Sequence, residues 1–502
     1  MSDKVGAWPM LCSRRREQMT ALCVAVSVSC LLGAVLGAAM TAERPRTDEV
    51  CLYLEAERFD DVGGWTIDAQ FRQQMGSTYL LAAGTGEPVA DAVTKAEMPR
   101  AGRYHLWVRC KDWDKTSPGK FQVLINDKPS ATTFGEQKKG WAWISGGQFD
   151  LPKSPVTIKL RDLTGYYGRC DALILTTDAS FTPPDDLAVL AAVREHILGK
   201  QPTEKLSFDF VVVGGGYGGI GAAVQAARLG VKTALIQNRP CLGGNASKEV
   251  NVGPGGACPH SVKFRETGIC EEIGEARARQ GLKNWSEAID LLVKDVPNLS
   301  IFLNTEGVRA VMADKRRIAA VEAENVVTGR KHLFQAPLFA DCTGDGHIAF
   351  AAGCEFRHGQ ESRDEYGESL APEQPNKNTM GTSIIHHSVR MDTPQPFTPP
   401  PFAVKFSAEH FTKRKQDLSQ GTWWIEYGGM VDTIKDAEEI RDELIRVIFG
   451  AFDWAKNHDP EHREKNANCK LAPVPTVGGK RESRRFFGDY ILKQQDVQAA
   501  TL

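Results

Sequence analysis

Gly214, Gly216 and Gly219 make the spacing G-x-G-x-x-G directly after an apolar run at residues 208–213, in which Asp209 is the only polar residue. A run of that length and β-branched content reads as a buried parallel strand. Gly214 permits a tight turn out of the strand. Gly216 lets a pyrophosphate approach the backbone, and Gly219 lets the next helix sit close to the sheet. That helix, at residues 218–229, begins just after Tyr217, at Gly218. Its N-terminus directs free N–H groups and a partial positive charge at the phosphates. Gly230 ends it, and residues 231–236 form a second strand. Strand, glycines, helix and strand in this order define a dinucleotide-binding unit. An acid usually ends the second strand and holds the ribose hydroxyls. Here Gln237 and Asn238 stand in its place. A Gln carbonyl accepts a hydroxyl hydrogen bond, but without charge.

The following residues narrow the nucleotide. Arg239-Pro240-Cys241-Leu242-Gly243-Gly244-Asn245-Ala246-Ser247 resembles the second glycine-rich loop of flavin enzymes, which passes from the adenosine end toward the flavin ring. LFADCTGDG at residues 338–346 resembles their returning strand, with the turn Thr343-Gly344-Asp345-Gly346 beside the cofactor. Together these resemble the bacterial FAD-dependent oxidoreductases with a glutathione-reductase-type nucleotide domain. The likeness continues through WWIEYGG at 423–429 and RESRRFFGDYIL at 481–492. It implies FAD, held by Gly214, Gly216, Tyr217, Gly218, Gly219, Gln237, Asn238, Gly243, Gly244, Asn245, Thr343, Gly344 and Asp345, with the backbone of Val308 at the adenine. Members of that family usually continue past the RESRR region with a further flavin contact. The expectation is therefore a C-terminally incomplete cofactor wall, with apolar surface exposed beside it.

A flavin carries the hydride or electron chemistry itself, so the protein must orient the substrate, take a proton and tune the ring. His386 and His387 follow Ile384-Ile385 on an expected strand, where one of two neighbours faces inward. An imidazole is a ready general base; a structurally bonded histidine is the other reading. Trp423, Trp424, Glu426 and Tyr427 gather aromatics and a carboxylate, which suits a sugar pocket and equally a domain core. His386, His387, Glu426 and Tyr427 are the catalytic candidates. Asn245, Ser247, Lys248 and Glu249 either reach the ring or, for Ser247 and Glu249, cap a helix. Arg481, Glu482, Arg484 and Arg485 form an anion site or a charge network.

The expected architecture around these residues is an α/β, Rossmann-like FAD-binding domain at 208–502, with an inserted β-meander and a substrate region. Helices are expected at 264–279, 285–293 and 436–454, meander strands at 301–303, 307–312 and 318–321, and the substrate region at 357–430. Before it, residues 50–180 carry strand patterns at 104–109, 121–125, 156–160 and 172–176, separated by turn signals. This spacing predicts an antiparallel sandwich. LEAERFDD, AGRYHLWVR and RCDALILT resemble carbohydrate-binding jelly rolls of the galactose-binding type. That resemblance offers Trp65, Trp113, Trp141, Trp143, Tyr166 and Tyr167 for sugar stacking, at most two or three for a ligand and the rest for the core. It also matches Glu55, Glu57 and Asp171 to a calcium site. Their spacing makes no cage, so they read as solvated strand-edge carboxylates and no metal is expected. A Pro-rich linker with a short helix at 187–198 fills residues 181–207.

The chain has 502 residues, room for two or three domains, and a net charge of −2. Such balance gives no reason to expect nucleic acid or an acidic membrane surface as partner. Arg14, Arg15 and Arg16 precede an apolar run from residue 19 to 42. Residues 1–42 thus read as a targeting segment, removed or kept as an anchor. Ser13-Arg14-Arg15 resembles a twin-arginine export signal, although Glu17 and Gln18 replace its usual apolar residues. Both readings place the body outside the cytoplasm, periplasmic or at the cell surface, with membrane contact only through that segment. Among twelve cysteines there is no C-x-x-C, which argues against a zinc site or a dithiol motif. Two of Cys51, Cys110 and Cys170 pair in an oxidising compartment, or all three are buried thiols. The expected function is an exported FAD-dependent oxidoreductase acting on an alcohol or sugar-like small molecule or glycan. The rival is a non-catalytic glycan-binding protein with a relict flavin domain.

Overall fold

The computed structural model describes residues 45–46, 48–137, 140–255, 267–411, 417–421 and 425–499. The proposed targeting segment, Trp423 and Trp424 lie outside them.

Ten strands form the first part: β1 (Cys51–Glu55), β2 (Thr66–Asp68), β3 (Tyr79–Ala82), β4 (Ala92–Glu97), β5 (Gly102–Asp112), β6 (Phe121–Ile125), β7 (Lys128–Pro129), β8 (Gly140–Leu151), β9 (Pro155–Asp162) and β10 (Gly168–Thr176). One sheet has the order β2-β3-β10-β5-β8, with β1 also on β10; the other is β4-β9-β6-β7. Strands β4 and β9 alternate buried and open positions, as a sheet with one wet face requires. Their inward residues meet Leu106, Val108, Phe121 and Leu173 in the sandwich core. Strand β10 does not alternate: all nine residues are buried, because its outer face is covered as well. A short helix, α1 (Arg72–Met75), follows β2 and ends at Gly76, in the left-handed region at φ 94°.

Two helices cover that outer face. The first, α2 (Leu187–Leu198), is capped by Asp186, whose carboxylate accepts the N–H groups of Ala188 and Val189 at 3.0 Å. Its Leu190 and Val193 pack on Tyr53, Trp143 and Ile174.

The linker does not end there. Residues 203–207 become strand β11 (Thr203–Ser207), which joins the second part. That part is a parallel sheet of order β14-β13-β12-β18, from β12 (Phe210–Val213), β13 (Thr233–Ile236), β14 (Leu299–Phe302) and β18 (Leu338–Asp341). Helix α3 (Tyr217–Arg228) connects β12 to β13, and α4 (Ile269–Gln280) and α5 (Trp285–Val293) precede β14. The meander is β15 (Thr305–Asp314), β16 (Arg317–Asn325) and β17 (Lys331–Gln335), with β11 parallel on its edge. The expected three-stranded excursion is thereby corrected. Residues 299–302 arrive by a helical crossover from β13, which makes β14 a parallel neighbour in the nucleotide sheet. Its place in the meander falls to β17.

The second cover is α7 (Ala437–Asp453), which comes after the short α6 (His347–Ala351) and runs on into a π turn at Trp454–His458. Apolar residues at Leu444, Ile445, Ile448, Phe449 and Phe452 share a core with Phe71, Tyr79, Trp113 and Tyr167 of the sandwich. Beside this stripe lies a charged one. Arg169 donates to Glu438 at 2.7 Å and to Asp442 at 3.0 Å. Arg441 donates to Asp68 at 2.7 Å and to the Tyr79 hydroxyl at 3.3 Å. Lys111 meets Glu438 at 2.8 Å. All of these side chains are buried.

Two readings of the sandwich change. Trp65 lies in its core, Trp143 under α2, and Trp113 and Tyr167 against α7. Trp141 donates to Glu438, and Tyr166 packs on Phe402 and Phe449. None of the six aromatics is left on an open face for a sugar. Glu55, Glu57 and Asp171 are buried rather than solvated. Asp171 accepts from Arg109 and from Ser77, both at 2.6 Å, and Glu55 pairs with Arg58 and Arg194. Burial pushes the Glu57 carboxyl well up, with the charge of Asp171 adding to it. No metal-binding cluster occurs among the described residues. Cys110 and Cys170 sit opposite each other on β5 and β10 as buried thiols. No described helix is long and apolar enough to cross a membrane.

Candidate functional site

A cavity of ≈ 720 Å³ opens at the C-terminal ends of β12, β13 and β18, within the range of small-molecule sites. Its first wall is backbone. Gly214 sits at φ 106°, where an added Cβ would lie 2.2 Å from the Cys342 carbonyl oxygen. At Gly219 a Cβ would lie 1.8 Å from the Gly214 oxygen, so this glycine seats α3 on the strand rather than facing the cavity. Gly218 is exposed and also lies off the lining. Gly216 is different: its Cβ would meet nothing closer than the Gly244 Cα, at 4.0 Å. That gap is the space into which a pyrophosphate fits. No described side chain caps α3, whose N-terminal residues Gly216 and Tyr217 line the cavity; an uncapped helix start of this kind offers N–H groups to an anion.

The second glycine loop lies alongside, with Gly216 and Gly243 in a parallel bridge. Gly243, Gly244 and Asn245 line the cavity, and Asn245 donates to the Lys480 carbonyl at 2.8 Å. Gln237 braces the two loops: its carbonyl accepts the Gly215 N–H at 2.7 Å, and its amide donates to the Cys241 carbonyl at 3.3 Å. Gln237 is buried, and Asn238 lines the cavity next to it. Ser247 closes the short 3-10 turn Gly244–Ala246, donating its N–H to the Gly244 carbonyl at 3.0 Å; Glu249 caps no described helix, pairs with Arg239 at 2.6 Å and accepts from the Cys241 thiol.

The meander supplies Thr305, Glu306 and Gly307 to the wall, and Thr305 donates its N–H to the Gln237 carbonyl at 2.8 Å. The lining stops there, and Val308 points to solvent at 52% exposure. The expectation at Val308 concerns its backbone, and the lining ends one residue before it.

Thr343, Gly344 and Asp345 all line the cavity. Thr343 accepts the His347 N–H at 3.0 Å and so starts α6. The Asp345 carboxylate is held by Lys480 and by Ser483, the latter at 2.7 Å. His347 lies on the same wall, its Nε2 3.8 Å from Asp345. Burial holds this imidazole below its ordinary pKa, against the pull of Asp345. Lys480, Ser483 and His347 were not legible as site residues.

The opposite wall comes from distant segments. Gln70, Phe71, Gln73 and Gln74 of the sandwich line it, as do Ile434 and Arg441. Arg72 anchors α1 to the meander, with Glu306 at 3.2 Å and Glu324 at 2.8 Å. No local motif marks these residues.

None of the four catalytic candidates lines the cavity. His386 is wholly buried between two short strands rather than on one; its Nε2 lies 3.0 Å from the Leu418 carbonyl. Burial drives its pKa down to about 4, so it is a neutral, structurally bonded histidine. His387 is exposed. Glu426 accepts the Gly381 N–H at 2.8 Å and pairs with Arg481 at 3.0 Å, and Tyr427 is exposed. Arg485 pairs with Glu361 at 2.9 Å, and Arg484 lies 3.9 Å over the Phe350 ring. Arg481, Glu482 and Arg485 thus take part in ion pairs, and Arg481 and Glu482 also line the cavity.

Glycine turn, bare helix N-terminus and second loop define a dinucleotide-binding protein of the βαβ class. The family model described as FAD dependent oxidoreductase matches residues 209–501, and the chain belongs to that family. Its cofactor is FAD, and the open cradle at Gly216 fits the pyrophosphate. The chain is 29% identical over 185 residues to dihydrolipoyl dehydrogenase 2, mitochondrial, of Arabidopsis thaliana, covering 34% of this chain and 35% of the relative. It is 40% identical over 75 residues to the soluble pyridine nucleotide transhydrogenase of Ectopseudomonas mendocina, covering 14% and 16%. The match thus spans about a third or less of these curated relatives. A family 35 carbohydrate binding module from Clostridium thermocellum covers 25% of this chain and 97% of its own at 14% identity, with a TM-score of 0.21. That score carries no argument about ligand.

Proposed function

We propose that this FAD-dependent oxidoreductase is exported and oxidises an alcohol or sugar-like small molecule or glycan. The observation that carries the substrate reading is the polar cluster of Asp345, Lys480, Ser483 and His347 on the cavity wall. A carboxylate, an ammonium, a hydroxyl and a neutral imidazole suit a ligand rich in hydroxyl groups. FAD, when bound, supplies the acceptor for the electrons. The chain's own part is to orient a hydroxyl and take its proton, and His347 is the proposed acceptor. Its depressed pKa keeps it unprotonated at neutral pH. The six aromatics are engaged in the sandwich core or against α2 and α7, so sugar contact is assigned to the cavity and not to them. Arg14 to Arg16 before an apolar run support export, and the net charge of −2 supports a small-molecule partner over nucleic acid.

The test is flavin bleaching under anaerobic conditions with a panel of sugars and sugar alcohols. His347→Gln should keep its flavin absorbance and slow bleaching by about 100-fold. Bleaching by none of the panel, or an unchanged rate in the variant, would count against the reading.

A further inference from the structure

We infer that the sandwich is part of the cofactor site, with Gln73 and Gln74 of α1 contacting the adenosine half of FAD. The inference rests on FAD lying over Gly214 and Gly216. The family match begins at residue 209, so α1 lies outside the family's own unit.

Three observations converge. The end of β13 is where ribose hydroxyls are normally held by an acid. In this chain that residue is Gln237, and both ends of its carboxamide are committed to Gly215 and Cys241. The usual recognition of the ribose is therefore missing from the flavin domain's own strand. Next, α1 docks at this same end. Arg72 bonds Glu306 at 3.2 Å, and the preceding residue, Thr305, bonds Gln237 at 2.8 Å. Finally, polar groups on α1 stand without protein partners. Gln74 donates to the Ile434 carbonyl at 2.6 Å, yet its Oε1 is buried and unbonded. Gln73 lines the cavity, is exposed and makes no hydrogen bond among the described residues.

Each carboxamide offers two donors and an acceptor. Adenosine offers ring-nitrogen acceptors, an amino donor and ribose hydroxyls, and Gln pairs with adenine through one donor and one acceptor together. The orphaned Gln74 Oε1 needs a donor, which a ribose hydroxyl or the adenine amino group supplies. The sandwich thus provides by side chain what the strand end lacks.

The experiment is calorimetric titration of the apoprotein with FAD and with ADP, for the unmodified chain, Gln73→Ala and Gln74→Met. Each variant should weaken both ligands by about five- to tenfold, with the unfolding midpoint of the Gln73→Ala apoprotein unchanged. Undiminished ADP affinity in both variants overturns the inference. So does a loss seen with FAD but not ADP, which would move the contact to the flavin half. Failure of the unmodified chain to bind either ligand would instead remove the cofactor placement on which the inference rests.

Discussion

One wall of the cofactor cavity is backbone, and the wall facing it is side chain. The first is built from Gly214 to Gly216 and Gly243 to Gly244, within about thirty residues of sequence. Its function depends on atoms that are missing: a single Cβ at Gly216 would occupy ligand space. The second is assembled from residues 70–74 and 434–441. It is held by buried ion pairs whose members lie hundreds of positions apart, such as Arg441 with Asp68. Substitution at Gly216 should therefore strike the ligand and spare the fold, whereas at Gly214 a Cβ 2.2 Å from the Cys342 carbonyl oxygen would strain both. At the buried ion pairs of the side-chain wall, such as Arg441 with Asp68, the fold should fail first.

The largest expected effect sharpens that contrast. Arg441→Ala leaves Asp68, Glu438 and Asp442 buried without this partner, which should cost about 3–5 kcal/mol. In urea denaturation the variant should unfold at clearly lower denaturant. A midpoint equal to the unmodified chain's would break the comparison.

Acid should strike the fold at a histidine that lies off both walls. His386 has a folded pKa of about 4 against an ordinary value of 6.5. Between those values the unfolded chain binds a proton that the folded chain refuses. Stability should fall as pH drops from about 6.5 to 4, by about 3 kcal/mol in all, and the term vanishes above that window. His386→Gln should flatten this part of the pH–stability curve; a curve of unchanged slope would deny the histidine its role.

On the glycine wall, Gly216→Val should weaken FAD by about 100-fold while the apoprotein keeps its unfolding midpoint. Undiminished flavin content, read by absorbance after gel filtration, would refute the placement of the pyrophosphate. The smallest effect belongs to the joint between the walls. Arg72→Ala removes the anchor of α1 on Glu306 and Glu324 and should cost about 1.5 kcal/mol. Its mark should be faster proteolysis near α1. Protection equal to the unmodified chain's would show that α1 is held by packing alone.

What could be read from the chain follows the same division. The glycine turn, α3 and the returning strand are local patterns, and the structure has them close to where periodicity puts them. Strands such as β6 and β10 also announced themselves as short apolar runs between turn signals. The two histidines misled because an Ile-Ile-His-His run signals inward direction but not what lies inside. His386 does face inward, but toward Leu418 and not toward the cavity. Glu426 and Tyr427 misled for a related reason: a cluster in sequence became a short, exposed edge strand. Lys480 and Ser483 were missed because their meaning depends on Asp345, more than a hundred residues earlier. The aromatics of the sandwich looked like a sugar platform, but Trp65 fills its core, Trp143 lies under α2, and α7 packs on the other four. Only tertiary placement tells an interface aromatic from a ligand-stacking one.

The late arrival of α7 can be put on a clock. Arg169 and its partner Glu438 are 269 residues apart. A ribosome adding 5–20 residues per second leaves an interval of about 13–54 s between them. Throughout it, the sandwich holds Asp68, Lys111 and Arg169 on a face that its later cover has not reached. The nascent amino-terminal half is thus a charged template, kept in water by the same groups that will be sealed from it. The last third of the polypeptide completes the first.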